Sequence, residues 1–187
     1  GITPYEYQNI VTDFAADGKT SGPNQSQEMI NYSKLNAQRS KRVEKQLVLE
    51  DSTIASLQSL KEPQKWLVLT ETWCGDAANS IPVINQMAEV AGDKVKLRFL
   101  FRDENEELIN QFLTRGGKSI PKLIAFNDQY EVLFDWGPRP EEAQTLYWDW
   151  RNSDDRIPYS EFHIVMQKWY MQDKNHSIQS EIGSLLN

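Results

Sequence analysis

Apolar and polar positions along the chain change rhythm three times. The first 64 residues read as helical. "YEYQNIVTDFA" puts Tyr7, Ile10, Val11 and Phe14 on one face at helical spacing. "DGKTSGPNQSQ", residues 17–27, is a loop by its Gly, Pro, Ser and Asn content. A second helix is expected from Glu28 to about Lys45, and a third, capped by Asp51 or Ser52, ending near Leu60.

From Trp66 the texture changes. "WLVLTE" is the near-continuous apolar run of a strand covered on both faces. "ANSIPVINQMAEVAG" has Ile84, Met87, Ala88 and Ala91 on one helical stripe, with Gly92 as a stop. "KVKLRFLF" reads as a second strand. Asp103, with Glu106 three residues later, has the spacing of a capping box, for a helix burying Leu108, Ile109, Phe112 and Leu113. "IPKLIAF" and "EVLFDW" are strands joined by the turn "NDQY", and "GPRP" ends the second. "EEAQTLYWDW" places Ala143, Leu146, Tyr147 and Trp150 on one helical face. In the tail, "SEFHIVMQKWYMQ" predicts a helix burying Phe162, Val165, Met166 and Trp169.

The order is therefore β-α-β-α-β-β-α. Two strands joined through a helix call for a parallel pair with a right-handed crossover, and the closing hairpin adds antiparallel strands. The expected class is α/β: one mixed four-stranded sheet between helices. The expected organisation is an N-terminal helical extension over 1–64, the sheet domain over 65–150 and a C-terminal helical tail over 151–187.

Composition narrows the function classes. The chain has 187 residues, a formal net charge of −7 and one cysteine. An acidic balance argues against nucleic acid as a partner. No apolar run is long enough to span a bilayer and no signal peptide is visible. A lone cysteine forms no internal disulfide, which points to a reducing, cytoplasmic setting. The basic run "RSKRVEK" reads as a solvated helix face, with an acidic-partner patch as the alternative. His163 and His176 have no second ligand at metal spacing, so no metal site is expected. "RGGKS" lacks the strand and spacing of a phosphate loop. Trp136, Trp148 and Trp150 fit a core better than a stacking platform.

The candidate chemistry is Cys74, which ends the first strand's segment and opens a helix. Unpaired amides at a helix head favour an anion there, and the thiolate is the nucleophilic form of cysteine. Asp76, two residues on, opposes this by its charge. Arg102 and Asp103 follow the second strand, Lys118 precedes Pro121 and Arg139 follows the last strand.

These residues resemble the thioredoxin superfamily over roughly Trp66 to Trp150. "WCGDA" stands where that family has Trp-Cys-Gly-Pro-Cys. Pro82 lies where the family's active-site helix carries a proline, and "SIPKLIAF" is similar to the segment whose proline is cis, here Pro121. "NDQYEV" resembles the turn of the final hairpin. The flanks resemble a bacterial group labelled "thioredoxin family protein".

The resemblance implies a thioredoxin-like fold with Cys74 as the reactive position. Trp73, Gly75, Asp76, Ala77, Ile120, Pro121, Gly137 and Arg139 would surround it, and Trp73, Ile120 and Gly137 would line a peptide groove. The departures bear on activity. Ala77 stands at the second cysteine, so a dithiol cycle within one chain is excluded. Val68 stands where the family keeps a buried acid.

The expected function is thiol-disulfide exchange through one cysteine, resolved by an external thiol such as glutathione, on protein or peptide thiols. The alternative is a non-catalytic peptide-binding module. A shared iron–sulfur cluster, as in monothiol glutaredoxins, is weaker because "CGDA" departs from Cys-Gly-Phe-Ser. No other cofactor is implied.

Overall fold

The computed structural model describes residues 1–186. The first three helices are α1 (Pro4–Asp17), α2 (Gln27–Gln46) and α3 (Asp51–Gln58). Then come β1 (Gln64–Thr70), α4 (Gly75–Ala91), β2 (Val95–Phe101), α5 (Glu106–Ile109), β3 (Lys122–Phe126) and β4 (Val132–Trp136). The chain closes with α6 (Glu141–Asn152), α7 (Tyr159–Asp173) and α8 (His176–Ser184). The strands form one sheet in the order β2-β1-β3-β4. β1 runs parallel to β2 and antiparallel to β3, and β4 returns antiparallel on β3. This is a thioredoxin-like α/β sheet flanked by helices.

The central strand explains why the core sits where it does. Val68 and Leu69 of β1 are fully buried, and Val68 lies between Phe99 of β2 and Leu123 of β3. Helix α4 covers one face through Ile84, Met87, Ala88 and Ala91, the stripe expected from their spacing. The β2 edge does not stay open. Ile2 forms a two-bond antiparallel bridge with Phe99, and the Tyr7 ring stacks on Phe99 at 4.6 Å. Covering an exposed strand edge in this way removes a template for unwanted pairing.

Three local expectations are corrected. The third helix is capped at Glu50, with Asp51 already inside it. The Asp103–Glu106 capping box does not form. Asp103 instead accepts from Arg102 at 2.7 Å, a 3-10 turn occupies Arg102–Glu104, and α5 is a single turn burying only Ile109, with Leu113 exposed. In α7 the buried face is Phe162, Met166 and Tyr170. Val165 is 39% exposed and Trp169 only partly buried. The register turned because α7 packs on the head of α4 and needs its tyrosine there. Helix α8 was not anticipated, and its Ile178 and Ile182 are fully buried in the same core as β1.

The 17–27 loop is clamped onto the carboxyl ends of the two parallel strands. The hydroxyls of Thr20, Ser33 and Thr72 lie within hydrogen-bond reach of one another, Ser33 Oγ being 2.7 Å from Thr20 Oγ1 and 2.8 Å from Thr72 Oγ1. Thr72 N–H donates to Ser21 Oγ at 2.8 Å. Beside them Glu71 is fully buried. Its Oε1 accepts the Asp103 amide at 2.9 Å, and its Oε2 has no partner. Gly22, at φ +78°, passes so close to Asp103 that a Cβ would lie 2.6 Å from Oδ2. Burial, and then the charge of Asp103, push the Glu71 carboxyl above its ordinary value of 4.5, against the pull of Ser21, the Asp103 amide and Arg102.

Two outcomes test this architecture. An acid whose folded pKa is raised holds its proton in the folded state after the unfolded chain has lost it, so stability falls as pH climbs from 4.5 to the raised value. Glu71→Gln should remove that slope from a series of denaturant titrations at different pH. In the same assay Ile178→Ala should cost about 2–5 kcal/mol, as a buried truncation does. Ile164→Ala, at a 55% exposed site, should stay within about 0.5 kcal/mol.

Candidate functional site

Cys74 is the N-cap of α4. Its backbone is extended, and its sulfur accepts the Ala77 N–H at 3.4 Å. The sulfur also lies 3.3 Å from the Ile120 carbonyl oxygen, to which the thiol donates. The Ile120–Pro121 and Gly137–Pro138 peptide bonds are both cis. Gly137 has φ +109° and lies so close to Pro121 that a Cβ would collide with its carbonyl oxygen, so only glycine fits there. The α4 head, the segment before β3 and the end of β4 therefore converge on one sulfur.

Of the residues named from sequence, six line one cleft, while Ala77, Pro121 and Gly137 lie outside its lining. Trp73, Cys74, Gly75, Asp76, Ile120 and Arg139 line a cleft of about 480 Å³. Arg102, Asp103 and Lys118 complete its far wall, with Arg102 over the Trp73 ring at 5.1 Å. Ala77 is 2% exposed and lies beneath, touching the sulfur through its amide only. Each of the three cations is already matched with a carboxylate: Arg102 with Asp103 at 2.7 Å, Lys118 with Glu106 at 3.2 Å and Arg139 with Asp76 at 2.7 Å.

The geometry ranks the opposing influences on the thiol. Cys74 is only 7% exposed. Burial pushes its pKa up most, and the Asp76 charge adds to that. The Ala77 amide, Arg139 and the Asp76 amide pull it down but lose, and the thiol stands at about 12. A desolvated anion costs more than one or two weakly bonded amides return. In this resting arrangement the sulfur carries its proton at neutral pH and is a hydrogen-bond donor.

Asp76 is the other centre of the site. Its carboxylate is almost buried, with Oδ2 on Arg139 and Oδ1 accepting the Tyr170 hydroxyl at 3.0 Å. Arg139 also lies over the Tyr147 ring at 4.2 Å. Burial alone would lower the Arg139 pKa, but Asp76, with Tyr170 and Cys74, more than offsets that and raises it. Helix α7 makes further contacts with the α4 head. Asn79 donates to Gly75 O at 2.8 Å and to Gln167 Oε1 at 3.1 Å. Gln167, Arg39 and His163 all stand within 4 Å of where a Gly75 Cβ would be. His163, read from sequence as a surface or packing residue, packs against the Tyr32 ring edge here.

Sequence reasoning missed Tyr170, Tyr159 and Glu71. Tyr170 and Tyr159 carry no motif, and their place follows only from the docking of α7. Glu71 had a signal: an acid at the end of an apolar strand, three residues before the cysteine. Among the described residues no three His, Cys, Asp or Glu side chains cluster as metal ligands. No helix among them is long and apolar enough to cross a membrane.

Comparison with known proteins agrees with this geometry. A family model described as "Thioredoxin" matches residues 22–154. The thioredoxin of Bacillus subtilis is 34% identical over 71 residues, 38% of this chain and 65% of that protein. The thioredoxin of Alicyclobacillus acidocaldarius is 40% identical over 70 residues, 37% of this chain and 64% of that one. For both, the match spans just under two thirds of the relative. The thioredoxin of Listeria monocytogenes is 35% identical over 85 residues, covering 44% and 80%. A crystal structure of a protein of unknown function from Pseudomonas aeruginosa shares the fold along the whole chain, with a TM-score of 0.59 at 12% identity and 100% and 98% coverage. With the family matched over more than half its length and the sheet, crossover and α4 head in place, the chain belongs to the thioredoxin family.

Proposed function

We propose that this protein is a thioredoxin-fold binding module, which receives a polypeptide partner in the cleft over Cys74 and uses the thiol as a polar contact. The observation that carries this reading is the state of the sulfur. It is buried, it gives its proton to the Ile120 carbonyl, and its pKa stands at about 12. Ala77 at the second cysteine position and Val68 at the family's acid position support it, because neither part of a dithiol cycle is present. The cleft walls supply matched ion pairs beside the Trp73 ring and Ile120. Such a mixture of apolar and polar groups is what protein interfaces use.

A second reading rests on a different observation: Cys74 forms part of the cleft wall, and the Ala77 amide points at its sulfur. In that reading a partner that displaces the Ile120 contact lets the thiol lose its proton to solvent. The thiolate attacks a disulfide, forming a mixed disulfide with Cys74 and releasing one partner thiolate. Glutathione thiolate then attacks the partner sulfur of the mixed disulfide, forming a glutathione–partner disulfide and freeing Cys74 as thiolate. No net oxidant is consumed. A reducing cytoplasmic setting goes with both readings and supplies the external thiol for the second.

Two measurements decide between them. Thiolate absorbance and iodoacetamide alkylation of wild type should place Cys74 far from ionisation at pH 7, with alkylation at least about 100-fold slower than a free cysteine. Capture from cell extract should then return the same partners for wild type and Cys74→Ser, with no adduct that reductant releases. A thiol ionised near pH 7, or partners lost with Cys74→Ser and held by wild type as reducible adducts, would overturn the binding reading in favour of exchange.

A further inference from the structure

Helix α7 lies outside the matched family residues, 22–154, yet it supplies a partner to the cysteine motif. Asp76 occupies the position of the proline in the family motif, which puts a carboxylate at the α4 head beside the sulfur. That carboxylate is nearly out of water, at 11% side-chain exposure. A carboxylate that is buried and ion-paired is held best when both oxygens have donors. The sheet domain offers one, Arg139, on Oδ2 at 2.7 Å. The other oxygen is served by Tyr170 of α7, itself 2% exposed and 94 residues away in sequence. Gln167, one turn earlier on the same helix, accepts from Asn79 and so fixes α7 against α4.

We propose that Tyr170 is a positioning residue of the Cys74 site: with Arg139 it holds the Asp76 carboxylate, and so sets how much negative charge the sulfur faces. The motif's aspartate and helix α7 are then two halves of one device. This inference rests on the reading that the cleft over Cys74 is the functional site. Its chemistry is simple. A hydroxyl donating to Oδ1 draws charge off that oxygen, and Arg139 does the same at Oδ2. Without the hydroxyl, more of the Asp76 charge falls on the sulfur and the thiolate becomes harder to form. Tyr170 acts only through Asp76, since its hydroxyl bonds to that residue and not to the thiol.

The test is a double-substitution cycle read by the pH profile of Cys74 alkylation with iodoacetamide between pH 7 and 10. Tyr170→Phe keeps the ring and its packing and removes the donor. It should slow alkylation by about three-fold at each pH, the change that half a pKa unit makes. Asp76→Asn alone should speed alkylation. Tyr170→Phe added to Asp76→Asn should then have no effect. Slowing confined to the Asp76 background supports the proposal. No change, faster alkylation, or the same change in both backgrounds overturns it, because loosened packing would act whether or not Asp76 is charged. If Tyr170→Phe does not fold, 3-fluorotyrosine placed at position 170 gives a stronger donor of the same shape. Alkylation should then be faster, and an unchanged rate would overturn the proposal. A wild-type thiol found ionised near neutrality would defeat the binding reading, yet leave the comparison between backgrounds intact.

Discussion

An ion-paired carboxylate withdrawn from water is held best when both oxygens are matched, and around Asp76 that arrangement organises the functional end of the molecule. Arg139 comes from the turn after β4, Tyr170 from α7, and the two close on one side chain at the head of α4. The sulfur of Cys74 sits inside this arrangement and inherits its electrostatics. Truncating either partner of a buried pair leaves an uncompensated charge, which is worth several times an exposed ion pair. The Asp76 cluster therefore ties α7 to the sheet domain by polar as well as apolar contact.

The thiol illustrates how two local rules can point in opposite directions. A helix head attracts anions, and an apolar, closed site repels them. From sequence the first rule was visible, because Cys74 plainly precedes a helix pattern. The second needed the packing of Ala77, Ile120, Arg139 and α7 around the sulfur. The outcome follows from magnitude: the amide contacts return less than desolvation of the whole group costs. The thiol then finds a use as a donor to Ile120, which joins the α4 head to the segment before β3.

Where the residues themselves encode structure, the sequence was readable. The β-α-β-α-β-β-α order follows from apolar runs and turn residues, and the stripe Ile84, Met87, Ala88, Ala91 follows from helical spacing. Elements set by distant partners were not readable. Asp103 has capping-box spacing, but Arg102 and the Glu71 carboxyl claim it, so α5 shrinks to one turn. Val165 has the right period for the buried face of α7, but the helix turns to bring Tyr170 to Asp76. Helix α8 is short and mixed in composition, and only its docking on α3 and α4 reveals Ile178 and Ile182 as core. The same holds at the site: Trp73, Gly75, Ile120 and Arg139 gather as their places in the chain suggest, whereas Tyr170 and Glu71 enter through tertiary contacts.

The span between Asp76 and Tyr170 has a consequence for biosynthesis. The motif leaves the ribosome long before the helix that completes it, and 94 residues separate the two. At ordinary elongation rates that gap lasts on the order of ten seconds. During it, the sheet can assemble around β1 and α4 while one oxygen of Asp76 still depends on water. During synthesis the cysteine motif therefore exists before the hydroxyl that completes it.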